Sequence, residues 1–149
     1  MDAIKLLKAD HDKVKSLFNK AESASESEQL SLFKQIHEEL EIHTHIEETI
    51  LYPKLKEIEE LKDITMEAVE EHHQAKILMR EISTLSDDSN KFEPKLKVLQ
   101  EDIEHHVKEE EEEMFPKMRN IFSSEDLEKL GAELEAEKKN FKKSAAVSN

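Results

Sequence analysis

Apolar side chains recur every three or four residues along most of the chain, a spacing that predicts amphipathic α-helices. In the first helix, Ile4, Leu7, Val14 and Phe18 fall on one face. Four long helices are predicted, at about residues 2–22, 27–60, 63–86 and 94–121. The polar stretches "SASESE" and "SDDSN" separate the members of each pair, and such residues favour turns. Long helices with short loops predict an antiparallel bundle.

A shorter fifth helix is predicted after the fourth, because Ser123 precedes Asp126 by three residues and can cap a helix start. The tail "KKSAAVSN" is expected to fray. We therefore assign residues 1–122 to the bundle and residues 123–149 to a C-terminal helix and tail of the same domain. The predicted fold class is all-α, an up-down-up-down antiparallel four-helix bundle with a short C-terminal fifth helix.

Ionisable residues interrupt the apolar stripes. His11 lies on the apolar face of the first helix, and His72 lies on that of the third. The stripe of the second helix consists of Leu32, Ile36, Leu40, His43, Glu47 and Ile50. The stripe of the fourth consists of Leu96, Leu99, Ile103, His106, Glu110 and either Glu113 or Met114. Pro53 and Pro116 each follow a striped glutamate by six residues and are expected to kink the helix there.

The second half of the chain repeats the first. The matched pairs are His11 with His72, 61 residues apart, and His43 with His106, Glu47 with Glu110 and Pro53 with Pro116, each 63 residues apart. Other positions differ freely, as where His45 corresponds to Lys108. The pattern indicates a duplicated helical hairpin that has retained the residues least suited to a core. Burying an isolated carboxylate is very costly, so each retained charge requires a partner.

The composition excludes several kinds of site and partner. The 149 residues include one glycine, three prolines and no cysteine, which excludes thiolate ligands and disulfides. The formal net charge of −14 argues against nucleic acid and anionic membranes as partners. Because the sequence contains neither a signal-peptide pattern nor an apolar stretch of about 18 residues, we expect a cytoplasmic protein.

The retained residues are suited to binding metal. A histidine and a glutamate four residues later lie on one helix face and can reach the same ion. The first and third helices each add one histidine, so four imidazoles and two carboxylates converge inside the bundle. This set fits two ions better than one, with bridging carboxylates and open positions for a small ligand. Such nitrogen and oxygen donors suit iron, and manganese, zinc or copper can accept them.

The segments "DHDKVKSLF", "HTHIEETILYP", "EHHQAKILM" and "HVKEEEEEMFP" resemble the four ligand-bearing helices of the hemerythrin-like (HHE cation-binding) family. The resemblance covers about residues 1–121. It implies a non-haem diiron centre with an oxo or hydroxo bridge, able to bind dioxygen or nitric oxide, in which zinc or manganese could replace iron. By motif position, the implied ligands are His11, His43, Glu47, His72, His106 and Glu110.

One position departs from the oxygen carriers of that family, which have a further histidine four residues after the third-helix ligand. Lys76 stands there in this chain, which argues against an oxygen-storage role. Three residues are alternative extra ligands: His73, His105 and Glu111. We expect Tyr52 and Phe115 to plug the end of the site, and His37 and His45 to lie on the surface.

Three functions follow from these observations. The leading hypothesis is a diiron protein that binds or senses dioxygen, nitric oxide or iron. The second is an enzyme, either a diiron oxidase or peroxidase or an iron-sulfur centre repair factor. Repair factors of this kind carry an N-terminal domain with a redox cysteine, and the sequence has no cysteine. The third is an acidic scaffold that binds metal adventitiously.

Overall fold

The computed structural model describes residues 1–86 and 89–148, and the regular secondary structure in these ranges is entirely helical. The α-helices are α1 Ala3–Glu22, α2 Glu26–Ile46, α3 Tyr52–Leu55, α4 Glu59–Ser83, α5 Phe92–Glu109, α6 Phe115–Ile121 and α7 Ser124–Ser148. Two π-helical segments, π1 (Glu47–Leu51) and π2 (Glu110–Met114), join α2 to α3 and α5 to α6. The predicted all-α, up-down-up-down bundle is confirmed.

Side-chain caps start the helices close to the predicted positions. Ser25 Oγ accepts the N–H of Glu28 at 3.4 Å at the start of α2. Ser123 Oγ accepts the N–H of Asp126 at 3.1 Å at the start of α7. The third long helix begins at residue 59, four residues earlier than predicted. Ile58 has an extended backbone and is the N-cap residue of α4. Of the predicted loop "SDDSN", residues 87 and 88 lie outside the described residues.

The fifth helix is longer than predicted. It spans 25 residues and continues into the tail that was expected to fray. Leu127, Leu130 and Leu134 are buried against the N-terminal half of α1, which provides the apolar area that stabilises the helix. Gly131 permits this close packing, because a Cβ there would collide with the carbonyl oxygen of Met1.

The hydrophobic core consists of two separate clusters. One lies around α3, α6 and the start of α1, and includes Ile4, Leu7, Leu55 and Met118. The other lies at the opposite end of the bundle and includes Phe18, Phe33, Ile36, Met79 and Leu99. On each long helix the retained histidine falls between the residues of the two clusters. A layer of buried polar side chains therefore divides the core across its middle.

Two π turns replace the regular helix just before the prolines. The N–H of Tyr52 donates to the carbonyl of Glu47, five residues back, and π2 has the same bond between Phe115 and Glu110. In a regular α-helix, Tyr52 would point about 140° away from Glu47. The wider π turn instead brings both side chains to the same side. It also buries Leu51 in place of the predicted Ile50.

Candidate metal centre

The structure brings all six predicted site residues together in the middle layer of the bundle. α1 and α4 each supply one histidine. The continuous helical segments α2–π1 and α5–π2 each supply a histidine and a glutamate. The residues are His11, His43, Glu47, His72, His106 and Glu110, and all six are buried. The two glutamates are the most enclosed, with exposed fractions of 0% for Glu47 and 1% for Glu110. Buried carboxylates at this depth require compensating cations.

The Nε2 atoms of the histidines face the two carboxylates. Glu47 Oε1 lies 3.0 Å from His72 Nε2, 3.3 Å from His43 Nε2 and 3.8 Å from His106 Nε2. Glu110 Oε1 lies 3.2 Å from His11 Nε2 and 3.3 Å from His106 Nε2. Each carboxylate is therefore shared between histidines of different helices.

Every one of these histidines is held from behind by a further carboxylate at its Nδ1 atom. The pairs are His11 with Glu111 at 2.6 Å, His43 with Asp10 at 3.0 Å, His72 with Glu48 at 2.9 Å and His106 with Glu71 at 2.7 Å. An ionised carboxylate can only accept, so Nδ1–H donates and the Nε2 atom faces the centre, where it can carry a proton or bind a metal. This carboxylate–histidine arrangement fixes the tautomer that binds metals.

These four outer carboxylates also follow the sequence repeat. Asp10 corresponds to Glu71 at the offset of 61 residues, and Glu48 corresponds to Glu111 at the offset of 63. Each one is the immediate chain neighbour of an inner residue. Sequence reasoning considered Glu111 only as an extra ligand and assigned no role to Asp10, Glu48 and Glu71, although the acidic neighbours recur in both copies of the repeat.

Tyr52 is a central residue that sequence reasoning underrated as a plug. Its Oη lies 2.7 Å from Glu110 Oε2, 3.1 Å from Glu47 Oε1 and 3.3 Å from His72 Nε2. Its hydroxyl thus adds an oxygen between the two inner carboxylates. Phe115, its counterpart in the repeat, stacks on His11 with ring centroids 5.9 Å apart. The two halves of the site therefore differ chemically at this position.

The proposed replacements for the missing fifth histidine do not reach the centre. His73 is exposed, and the 64% exposed side chain of His105 bonds Glu109 at 2.9 Å. Glu111 lies behind His11, and Lys76 bonds both oxygens of Glu48 at 2.8 and 2.9 Å. Lys76 therefore supports the carboxylate behind His72.

The two other histidines lie away from the centre, as predicted, but they are not free of contacts. His37 pairs with Glu41, one turn further along α2. His45 pairs with Glu137 of α7 at 2.8 Å, and its ring lies 4.6 Å from that of Phe141. His45 thus packs against α7 rather than facing solvent alone.

The electrostatics of the centre favour charged groups. Burial opposes the charging of His43, but Glu47 and Asp10 raise its pKa to about 10. Burial likewise opposes the charging of His106, yet Glu110 and Glu47 raise its pKa well above the usual value. Burial disfavours ionised Glu47 as well, but the surrounding histidines hold its pKa well below normal. The carboxylates therefore demand positive charge, which protons or metal ions can provide.

The arrangement fits metal binding. Among the described residues, His43 Nε2 and Glu47 Oε2 are buried atoms without a hydrogen-bond partner, although His43 Nε2 lies near Glu47 Oε1. His72 Nε2 and His106 Nε2 face each other at 3.2 Å. A buried carboxylate oxygen or imidazole nitrogen without a partner is costly unless a cation lies beside it.

Two overlapping groups of ligand atoms can be defined. The first group comprises His11, His43, Glu47 and Glu110, and the second comprises Glu47, His72 and His106. The ligand atoms of each group lie within 4.8 Å of one another. Glu47 belongs to both groups, so its carboxylate connects them. The mixture of imidazole and carboxylate suits iron, manganese or zinc.

A small enclosed cavity adjoins the histidines. Its volume is about 20 Å³, and its lining includes the four inner histidines together with Val14, Leu40, Ile103 and Val107. Space for one water-sized molecule requires about 10–15 Å³. A larger groove between α1 and α5, of about 430 Å³, shares His11, Val14, Ile103 and Val107 with the cavity. One layer of apolar side chains thus separates the cavity from the groove.

Helix hydropathy bears on membrane association. Within the part of the chain that the structure describes, no helix has the length and apolar character needed to cross a bilayer.

Known proteins resemble this chain in sequence. The chain is 30% identical over 134 residues to a DNA nickase of Nostoc sp. and 27% identical over 133 residues to an uncharacterized hemerythrin-like protein of Schizosaccharomyces pombe. These alignments cover 89% and 87% of this chain, but only 38% and 66% of the respective relatives. The chain therefore spans well under half of the first relative and just under two thirds of the second.

A solved structure extends the likeness over nearly the whole chain. A hemerythrin HHE cation-binding domain-containing protein of Mycobacterium kansasii superposes with a TM-score of 0.86 at 26% identity. The match covers 99% of this chain and 91% of that protein. The family model of the hemerythrin HHE cation-binding domain matches residues 2–118, which contain all six inner residues. The chain belongs to the hemerythrin HHE cation-binding domain family.

Proposed function

We propose that the protein is a non-haem diiron protein that binds or senses a small diatomic molecule, dioxygen or nitric oxide. The observation that carries the proposal is the pair of ligand groups joined by Glu47, each with inward-facing Nε2 atoms. The six residues His11, His43, Glu47, His72, His106 and Glu110 would hold the two ions. Iron ions in such a site would supply open coordination positions and a reversible change of oxidation state.

The cavity supports a diatomic ligand. At about 20 Å³ it is large enough for a very small molecule, and its wall beyond the histidines is mainly aliphatic. An uncharged ligand loses little hydration on entering such a space. The groove between α1 and α5 provides a short path to it past Val14, Ile103 and Val107. We infer that dioxygen or nitric oxide reaches the centre by this path.

Metal analysis with optical spectroscopy tests the proposal. Protein purified without a histidine tag, reconstituted anaerobically with Fe²⁺, is expected to hold about two irons per chain. Exposure to dioxygen or nitric oxide should then produce visible charge-transfer bands. Bands that reverse on removal of the gas support a binding or sensing role. A fully folded protein that takes up no iron, or holds it without any gas-dependent band, contradicts the proposal.

Tyr52 favours a second candidate, a diiron oxidase or peroxidase. Burial and the charges of Glu110 and Glu47 raise the pKa of Tyr52 well above its usual value. Its phenol therefore stays protonated at neutral pH and holds its O–H next to both inner carboxylates. Proton donation beside a redox metal pair is a requirement for consuming peroxide. The acidic surface gives no support for extending DNA cleavage, named for the Nostoc relative, to this chain.

Tyr52→Phe distinguishes the two candidates. The change removes one hydroxyl and keeps the ring, so iron content and fold should persist. If the protein is a peroxidase, peroxide turnover by the iron-loaded variant should fall by about 100-fold, as expected for loss of a proton donor. Phe115→Tyr serves as the matched control, because it adds a phenol at the equivalent position of the other repeat. Absence of peroxide turnover in the unaltered, iron-loaded protein would exclude the second candidate.

A further inference from the structure

Helix α7 reaches the metal centre through a chain of three side chains. The Nζ atom of Lys138 donates to Asp10 Oδ1, and Asp10 Oδ2 accepts the Nδ1–H of His43 at 3.0 Å. Asp10 is buried, and the side chain of Lys138 is 20% exposed, so the contact is largely shielded from water. Ion pairs shielded in this way are stronger than pairs on the open surface. Lys138 lies beyond residue 118, where the family match ends.

The sequence repeat explains why the first hairpin needs this lysine. Glu71, the counterpart of Asp10, has a basic neighbour within its own hairpin, since His105 Nε2 lies 3.7 Å away. The residue 63 positions before His105 is Ile42, which is buried and uncharged. Ile46 likewise corresponds to Glu109. The first hairpin thus has an apolar outer face where the second has a polar one, and α7, which packs on α2, provides the cation.

Further contacts hold this part of α7 in place. Glu137 bonds His45 Nε2 at 2.8 Å, and the ring of Phe141 lies on His45. After Leu134, the described side chains of α7 are exposed or half-buried, so this end of the helix depends on polar and aromatic contacts. Those contacts surround Lys138 on both sides along the helix. The position of Lys138 is therefore fixed by the contacts of its own helix with His45 of α2.

We propose that α7 is a working part of the metal centre, in which Lys138 positions Asp10 and thereby His43. The consequence is that the metal position built on His11 and His43 differs from the one built on His72 and His106. The bundle and α7 then form one functional unit. This inference rests on the proposed function, because it assumes that both positions hold iron.

Stepwise metal titration tests the inference. Lys138→Met retains the aliphatic stem but removes the charge, so Asp10 loses its partner. Anaerobic titration with Fe²⁺ is expected to show one of the two equivalents binding about tenfold more weakly, since residues behind a metal ligand contribute 10–100-fold to affinity. Lys138→Arg should restore both equivalents. The matched control Lys139→Met makes the same charge change at the next, exposed position and should alter neither.

A second variant and a melting curve separate positioning from mere stability. Asp10→Asn keeps the shape of the side chain and should weaken the same equivalent as Lys138→Met. The inference is wrong if Lys138→Met binds both equivalents as tightly as the unaltered protein. It is also wrong if both equivalents weaken together with an earlier thermal transition. If the unaltered protein binds fewer than two equivalents, the proposed function itself fails, and the inference fails with it.

Discussion

Glu47→Gln is expected to abolish binding of both metal ions, whereas loss of a single histidine should affect mainly one. Glu47 belongs to both groups of ligand atoms and lies within 4 Å of three histidines. The amide has almost the same shape as the carboxylate but carries no charge, so it is a weak ligand for a divalent ion. We expect both Fe²⁺ equivalents to bind more than about 100-fold more weakly, beyond the effect of an outer residue.

Two matched variants define that result. Glu48→Gln alters the next residue, which contacts His72 from outside, and should weaken one equivalent only. Glu38→Gln changes an exposed position of α2 and should leave binding unaltered. Circular dichroism of the metal-free Glu47→Gln protein must show an intact helical fold for the comparison to count. Retention of one tightly bound iron in that variant would contradict a bridging role for Glu47.

The metal-free protein is expected to lose stability as the pH rises above neutrality. His43 has a pKa of about 10 in the folded state, against about 6.5 when unfolded. A group with a raised folded pKa stabilises the fold fully below its unfolded pKa, and that contribution disappears as the pH rises through the folded value. The free energy of unfolding should therefore fall between about pH 6.5 and pH 10. His72 and His106, whose pKa values are also raised, act in the same direction.

Urea denaturation of the metal-free protein at a series of pH values measures this slope. His43→Gln removes one titrating group and should flatten the profile, whereas His37→Gln, at a surface position, should not. Metal binding should show the opposite dependence, because the ions must displace protons from the histidines, so affinity rises with pH. A free energy of unfolding that stays constant from pH 6.5 to pH 10 would refute the charged state assigned to the histidines.

The repeat made the inner residues predictable from the sequence. Burying a single histidine or glutamate on an apolar helix face is energetically unfavourable. Its recurrence at the same position in both hairpins therefore indicated a common functional role. Local signals also predicted local structure, since Ser123 caps the helix that it was expected to start. Helical spacing and capping depend on neighbours in the chain, which the sequence displays directly.

Other parts of the site depend on geometry that spacing does not reveal. Tyr52 reaches the centre because π1 alters the rotation of the helix, and a calculation at 100° per residue directs it elsewhere. Asp10 and Glu48 bond histidines of neighbouring helices, so their role depends on how the helices pack against each other. The role of Lys138 could not be predicted for the same reason, because it lies 128 residues along the chain from its partner Asp10.

The polar layer that divides the core has a consequence for cooperativity. Each apolar cluster packs mainly within its own end of the bundle, and the layer between them contributes little hydrophobic attraction. In the metal-free protein, hydrogen exchange at the two ends can proceed through separate local openings. Two ions bound by residues of all four long helical segments would link the two ends of the bundle. Metal binding would then determine whether the bundle unfolds as one cooperative unit or as two.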